Sequence, residues 1–173
     1  LEAVVQKSSG LLVTSRLTIH TQEALAVEAF TSFFIRAPKT NTAPRTTTPR
    51  TALPPADRTV SWTVDPDQSV RYATASLDHN PIHIDPDAAH AAGLPDVILH
   101  GLCTMAMTGK SIIDCCCDQN PKRLLQLGVR FASPVFNGDK LQTRMWDTPQ
   151  GVQFLVANEQ SQPVITNGVA TFG

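Results

Sequence analysis

The chain has 173 residues, of which 42% are hydrophobic and 17% charged, and its net charge is -1. A chain of this length buries roughly 70% of the surface it exposes when unfolded, enough for one good core or two small ones. Near-neutral charge gives no field for nucleic acid or an anionic membrane surface, and no apolar run approaches the roughly 18 residues that span a bilayer.

Alternating Leu11, Val13, Leu17 and Ile19, then Ala24, Ala26, Phe30, Phe33 and Ile35, predict two strands over 11–19 and 24–36, with a turn near Thr21–Glu23. Residues 37–57 hold five prolines and two arginines without periodicity, so the segment reads as a linker. Taken as domains, 1–37 are N-terminal strands, 38–58 a Pro/Thr-rich linker and 59–173 a second unit.

In that unit, Thr59–Val64 predicts a strand and Pro66–Ala75 a short helix. Asp85-Pro86 sets up a helix start, with a capping carboxylate followed by a proline at the first helical position; the helix runs to Ala92 and stops at Gly93. Leu102, Met105, Ala106, Gly109, Ile112, Ile113 and Cys116 recur at three- and four-residue steps, predicting a helix over 101–117 with that stripe turned to a core. Leu124–Pro134, Lys140–Asp147, Gly151–Glu159 and Pro163–Phe172 read as four strands. The fold class is α+β, one antiparallel sheet wrapped around a long central helix. Cys103, Cys115, Cys116 and Cys117 fall inside the helical pattern and read as small buried or half-buried thiols rather than a disulfide framework or a zinc site.

Chemistry-bearing residues concentrate between 72 and 104. Asp78, Asn80 and His83 surround Pro81, and Gly101 stands where the long helix begins. An acid and an imidazole across a turn can face one small substrate atom. A free amide at a helix start can hold a developing oxyanion. These are the parts needed to add or remove water beside a thioester carbonyl. Each has a plainer reading: Asp78 and Asn80 as turn formers, His83 as a hydrogen-bonded histidine, Gly101 as a close-packing position. His79 and His83 are separated by a helix-breaking proline, so no metal site is expected.

Tyr72-Ala-Thr-Ala-Ser-Leu-Asp78-His-Asn80-Pro81-Ile-His83-Ile-Asp85-Pro86 resembles the hydratase-2 signature of the MaoC-like dehydratases, which include the (R)-specific enoyl-CoA hydratases. Ile98-Leu99-His100-Gly101-Leu102-Cys103-Thr104, Val129-Arg130-Phe131-Ala-Ser-Pro134-Val135, Gly138-Asp139 and Asn167-Gly168-Val169-Ala170 agree with it. The resemblance covers 59–173 and implies a hot-dog fold. It also implies that residues 1–37 are the last strands of a partial first hot-dog repeat.

By this resemblance Asp78 and His83 grip the water, Asn80 orients it or buttresses the loop, and Gly101 receives the thioester oxygen. The implied activity is reversible hydration of trans-2-enoyl-CoA to (3R)-3-hydroxyacyl-CoA in fatty-acyl metabolism. Tyr72 would line the acyl pocket or pack in the core, Phe131 and the Pro134-Val135 turn would shape the pantetheine channel or belong to a plain β-core, and Arg130, Lys122 and Arg123 are the nearby cations, for the CoA phosphates or simply solvated. His100 reads as structural. No metal or redox cofactor is implied, since CoA enters with the substrate. A homodimer is expected, in the cytoplasm or, for a eukaryotic chain, the peroxisome. The alternatives are a non-catalytic acyl-CoA-binding or assembly subunit, or a dehydratase acting on carrier-protein-bound acyl groups. Two departures stand out: Leu77 replaces the family's glycine before the catalytic aspartate, and Asn137 replaces a turn proline.

Overall fold

The computed structural model describes residues 1–37 and 53–173. The chain divides into two units, Leu1–Thr51 and Ala52–Gly173. The linker expected over 38–58 lies, up to residue 52, outside the described residues, and Arg58 already opens a strand.

The first unit is an antiparallel sheet of β1 (Ala3–Lys7), β2 (Gly10–His20) and β3 (Leu25–Arg36), in the order β1-β2-β3. The alternation that predicted β2 and β3 is realised in register, with Val13 opposite Phe33 and Arg16 opposite Phe30. The short strand β1 was not anticipated.

The second unit opens with β4 (Arg58–Thr63) and α1 (Gln68–Ser76). Next comes α2 (Pro86–Ala91), capped as expected by the Asp85 carboxylate, which accepts from the amides of Asp87 and Ala88. Helix α3 (Gly101–Cys116) is followed by β5 (Leu124–Phe131), β6 (Lys140–Thr148), β7 (Gly151–Asn158) and β8 (Pro163–Phe172). Their order in the sheet is β4-β6-β7-β8-β5, all neighbours antiparallel. β6, β7 and β8 form a meander, whereas β5 lies beyond β8 at the far edge. Cys103 and Ile112 of α3 pack against Leu141 and Met145 of β6, Val152, Phe154 and Val156 of β7, and Val164 and Ile165 of β8. The helix therefore lies in the concavity of the sheet, as expected.

The buried face of α3 differs from the predicted stripe. Leu102 is 63% exposed, while Cys103, Thr104, Thr108, Ser111 and Ile112 are buried. Hydroxyls tolerate this burial because each bonds back to a carbonyl one turn earlier: Thr108 Oγ1 to Thr104 O at 2.8 Å and Ser111 Oγ to Met107 O at 3.1 Å. Small satisfied side chains let the helix approach the sheet, so apolarity alone mislocated the face. No described helix is long and apolar enough to cross a membrane.

Candidate functional site

The turn that carries the chemistry is built by local side-chain capping. Asp78 accepts from the amide of Asn80 at 3.2 Å, and Asn80 accepts from the amide of Ile82 at 3.5 Å. Asn80 thereby caps a single 3-10 turn over Pro81–His83. Leu77 enters the turn at φ 61°, ψ 17° as the C-cap of α1. The loop has kept the conformation suited to glycine, and leucine has adopted it.

His83 is 8% exposed and its Nδ1 lies 2.7 Å from the carbonyl of Ile98. A carbonyl can only accept, so Nδ1 carries a proton, and in the neutral ring Nε2 is the free acceptor. The Ile98 segment is itself fixed, since its amide donates to Ile82 O at 3.1 Å and the Leu99 amide donates to Val135 O at 2.7 Å. One short extended segment thus ties the histidine turn to the entry of α3.

His100 is the N-cap residue of α3 and lies in the same group. Its Nε2 donates to the main-chain carbonyl of Asp78 at 3.0 Å, and its ring stacks on His83 with centroids 3.8 Å apart. Its Nδ1 is buried without a hydrogen-bond partner. Tyr72 also packs against His100, its ring tilted and its centroid 4.9 Å away. Burial pushes the Tyr72 hydroxyl above its ordinary pKa, reinforced by Cys103 and the Asp78 charge, so it stays a protonated donor. Burial likewise raises the Cys103 thiol.

A cavity of about 310 Å³ is lined by His83, Ile98, Leu99, Gly101, Thr104, Phe131, Ala132, Ser133, Pro134, Val135 and Val164. It opens at the N-terminus of α3, which has no side-chain cap; the Cys103 and Thr104 amides donate to His100 O, leaving those of Gly101 and Leu102 without an intrahelical acceptor. Gly101 lies close under Phe131, and a Cβ at that position would meet the ring at 3.3 Å, so the ring would have to give way.

Of the residues singled out in the sequence, His83, Gly101, Phe131, Pro134 and Val135 share this cavity, and the Asp78 carboxylate stands within 4.8 Å of a nitrogen of each of the two histidines. Asn80 contributes its side-chain oxygen to the turn. Tyr72 packs behind His100, and Arg130, Lys122 and Arg123 are not among the lining residues; Arg123 is paired with Asp118. Thr104 was missed as a lining residue because hydrophobic periodicity ignores hydroxyls. His100 was read as structural, and it does bridge the aspartate loop to the histidine.

Asp78, His83 and His100 also have the spacing of a metal-ligand cluster. The two rings are stacked with only 25° between their planes. In-plane lone pairs of near-parallel rings do not converge on one nearby point, so the arrangement suits proton transfer and water binding better than chelation.

The family model of the MaoC-like domain matches residues 39–169. A probable enoyl-CoA hydratase 2 from Dictyostelium discoideum is 37% identical over 106 residues, covering 60% of this chain and 36% of the relative. The enoyl-CoA hydratase ChsH3 of Mycobacterium tuberculosis is 38% identical over 114 residues, covering 65% and 40%. The chain thus spans less than half the length of these relatives. Among solved structures, a MaoC-like dehydratase from Phytophthora capsici superposes with a TM-score of 0.86 at 26% identity, covering 98% of this chain and 59% of that one. The full-length peroxisomal multifunctional enzyme type 2 of Drosophila melanogaster gives 0.84 at 30% identity, covering 99% and 32%. The signature turn, the helix on its antiparallel sheet and these matches agree: the chain is a hot-dog protein and belongs to the MaoC-like dehydratase family.

Proposed function

We propose that the chain hydrates trans-2-enoyl-CoA reversibly to (3R)-3-hydroxyacyl-CoA. The observation that carries this reading is the placement of His83: its protonated Nδ1 is locked to Ile98 O, and it lines the same cavity as Gly101. Water held between His83 Nε2 and the Asp78 carboxylate gives its hydroxyl to C3, and a proton passes from this pair to C2. The thioester oxygen, gaining enolate character, accepts from the Gly101 amide, where the helix dipole adds stabilisation. The Tyr72 ring steadies His100, which in turn holds the Asp78 main chain. No cofactor enters this scheme.

The test is loss of enoyl-thioester absorbance with crotonyl-CoA and a longer enoyl-CoA. Removing one member of an acid–base pair costs about 10²- to 10⁴-fold, so Asp78→Asn and His83→Ala should both collapse turnover, and the product should be 3R. Parent-like rates in either variant sink the assignment.

One observation favours a second reading, an acyl-CoA-binding subunit: Asp78 is exposed and already engaged by the Asn80 amide. Thermal stabilisation by CoA esters without turnover selects it. We also propose a homodimer, checked by light scattering. The compartment is cytoplasmic or, as for the relative named enoyl-CoA hydratase 2, peroxisomal, from Arabidopsis thaliana, peroxisomal; imaging of the tagged chain decides.

A further inference from the structure

We propose that Cys115, Cys116 and Met145 form a three-sulfur site for a soft monovalent metal ion, Cu(I). Consecutive helix residues normally point apart. Here the two thiols sit at the last turn of α3, where Cys117 leaves helical geometry, and their Sγ atoms lie 3.3 Å apart. Each is 3.8 Å from the Sδ of Met145 on β6. Metal–sulfur bonds of about 2.3 Å set three sulfurs about 4 Å apart around a trigonal ion. The observed triangle needs only a small expansion of one edge.

The donor set selects the metal. Two thiolates and a thioether are soft ligands suited to Cu(I). Zinc wants four ligands, and among the described residues no histidine or carboxylate joins the two thiols in a ligand cluster. A disulfide is a poor rival, since adjacent Cα atoms stand about 3.8 Å apart, short of the roughly 4.4 Å that a disulfide requires.

Binding is ligand exchange without redox: two S–H bonds break, two S–Cu bonds and one thioether contact form, and two protons leave to solvent. The product carries one negative charge. Arg58 stands ready to offset it, with Nη1 3.6 Å from Cys116 Sγ and its guanidinium held two-pronged by Asp147 at 2.5 and 3.1 Å. Desolvation, with Cys116 beside it, pushes the Cys115 thiol up to about 12, so an ion must be thiophilic enough to displace the proton. Access is from the Cys115 side, which is exposed, whereas Met145 is 0% exposed and forms the floor.

The experiment is anaerobic Cu(I) titration of the full chain against bicinchoninate, with copper-edge X-ray absorption. We expect one tightly held Cu(I) per chain, with three sulfur neighbours at about 2.3 Å. Cys115→Ser and Cys116→Ser should each weaken binding about a hundredfold, and Met145→Leu about tenfold. Cys103→Ser and His83→Ala should keep full affinity. Cys115 is exposed, so its serine variant keeps the fold, which far-UV circular dichroism checks. Unchanged affinity in Cys115→Ser, or equal losses in Cys103→Ser or His83→Ala, overturns the site.

Discussion

Leu77 pays for its place in the chain with backbone strain, since at φ 61° a Cβ crowds the neighbouring carbonyl by roughly 1–2 kcal/mol. Its side chain is 78% exposed and loses no packing when removed. Leu77→Gly should therefore raise stability by about 1 kcal/mol or a little less, once glycine's extra freedom in the unfolded chain is counted. Calorimetry should show a melting temperature a few degrees higher; a drop would mean that leucine is held by something other than its backbone. At Gly101 the constraint is space. Gly101→Ala keeps the amide but presses a methyl group against the Phe131 ring. Hydration should fall at least tenfold with the melting temperature nearly unchanged, and Phe131→Leu on the same chain should recover part of the loss. Independent, additive effects in the double variant argue against the contact.

At the level of elements, α2 supports the histidine turn, and its start depends on Asp85, which holds two amides. Asp85→Ala should cost about 1 kcal/mol, read in a denaturant melt, and should lower turnover less than His83→Ala does. The elements themselves were largely legible. Asp85-Pro86 and Gly93 bounded α2, and period-two runs gave β2, β3, β6, β7 and β8 nearly to the residue. Strand order was not legible: alternation shows which face a strand buries, but the pairing of β5 with β8 depends on partners some 40 residues away. The site was half legible. Asp78, His83 and Gly101 were marked by spacing and by the resemblance, while His100 and Thr104 stood in the same motif but their places in the site follow from packing across elements. β1, five residues long and mostly exposed, gave too little periodicity to read.

For the molecule as a whole, the two units differ in what holds them. Ala52–Gly173 has a continuous core running from Val64 to Ala170. Residues 1–37 form three strands whose large side chains, Leu17, Phe30, Phe33 and Ile35 among them, are exposed. A piece of that size without a core, disulfide or metal does not fold alone. A synthetic peptide of residues 1–37 should show a disordered circular dichroism spectrum, whereas 53–173 should melt cooperatively; a folded peptide would show that strand pairing alone suffices. Sequence drift meets an unusual target in this protein. His83 and His100 are both held by main-chain carbonyls, of Ile98 and Asp78, and a carbonyl is present whatever side chain stands at the position. Substitutions at Ile98 can alter its packing but cannot delete the acceptor. Loss of function through these anchors therefore requires insertions, deletions or proline changes that reroute the backbone, so a mutational scan should find the aim of the imidazoles tolerant of point substitution and intolerant of changes in loop length.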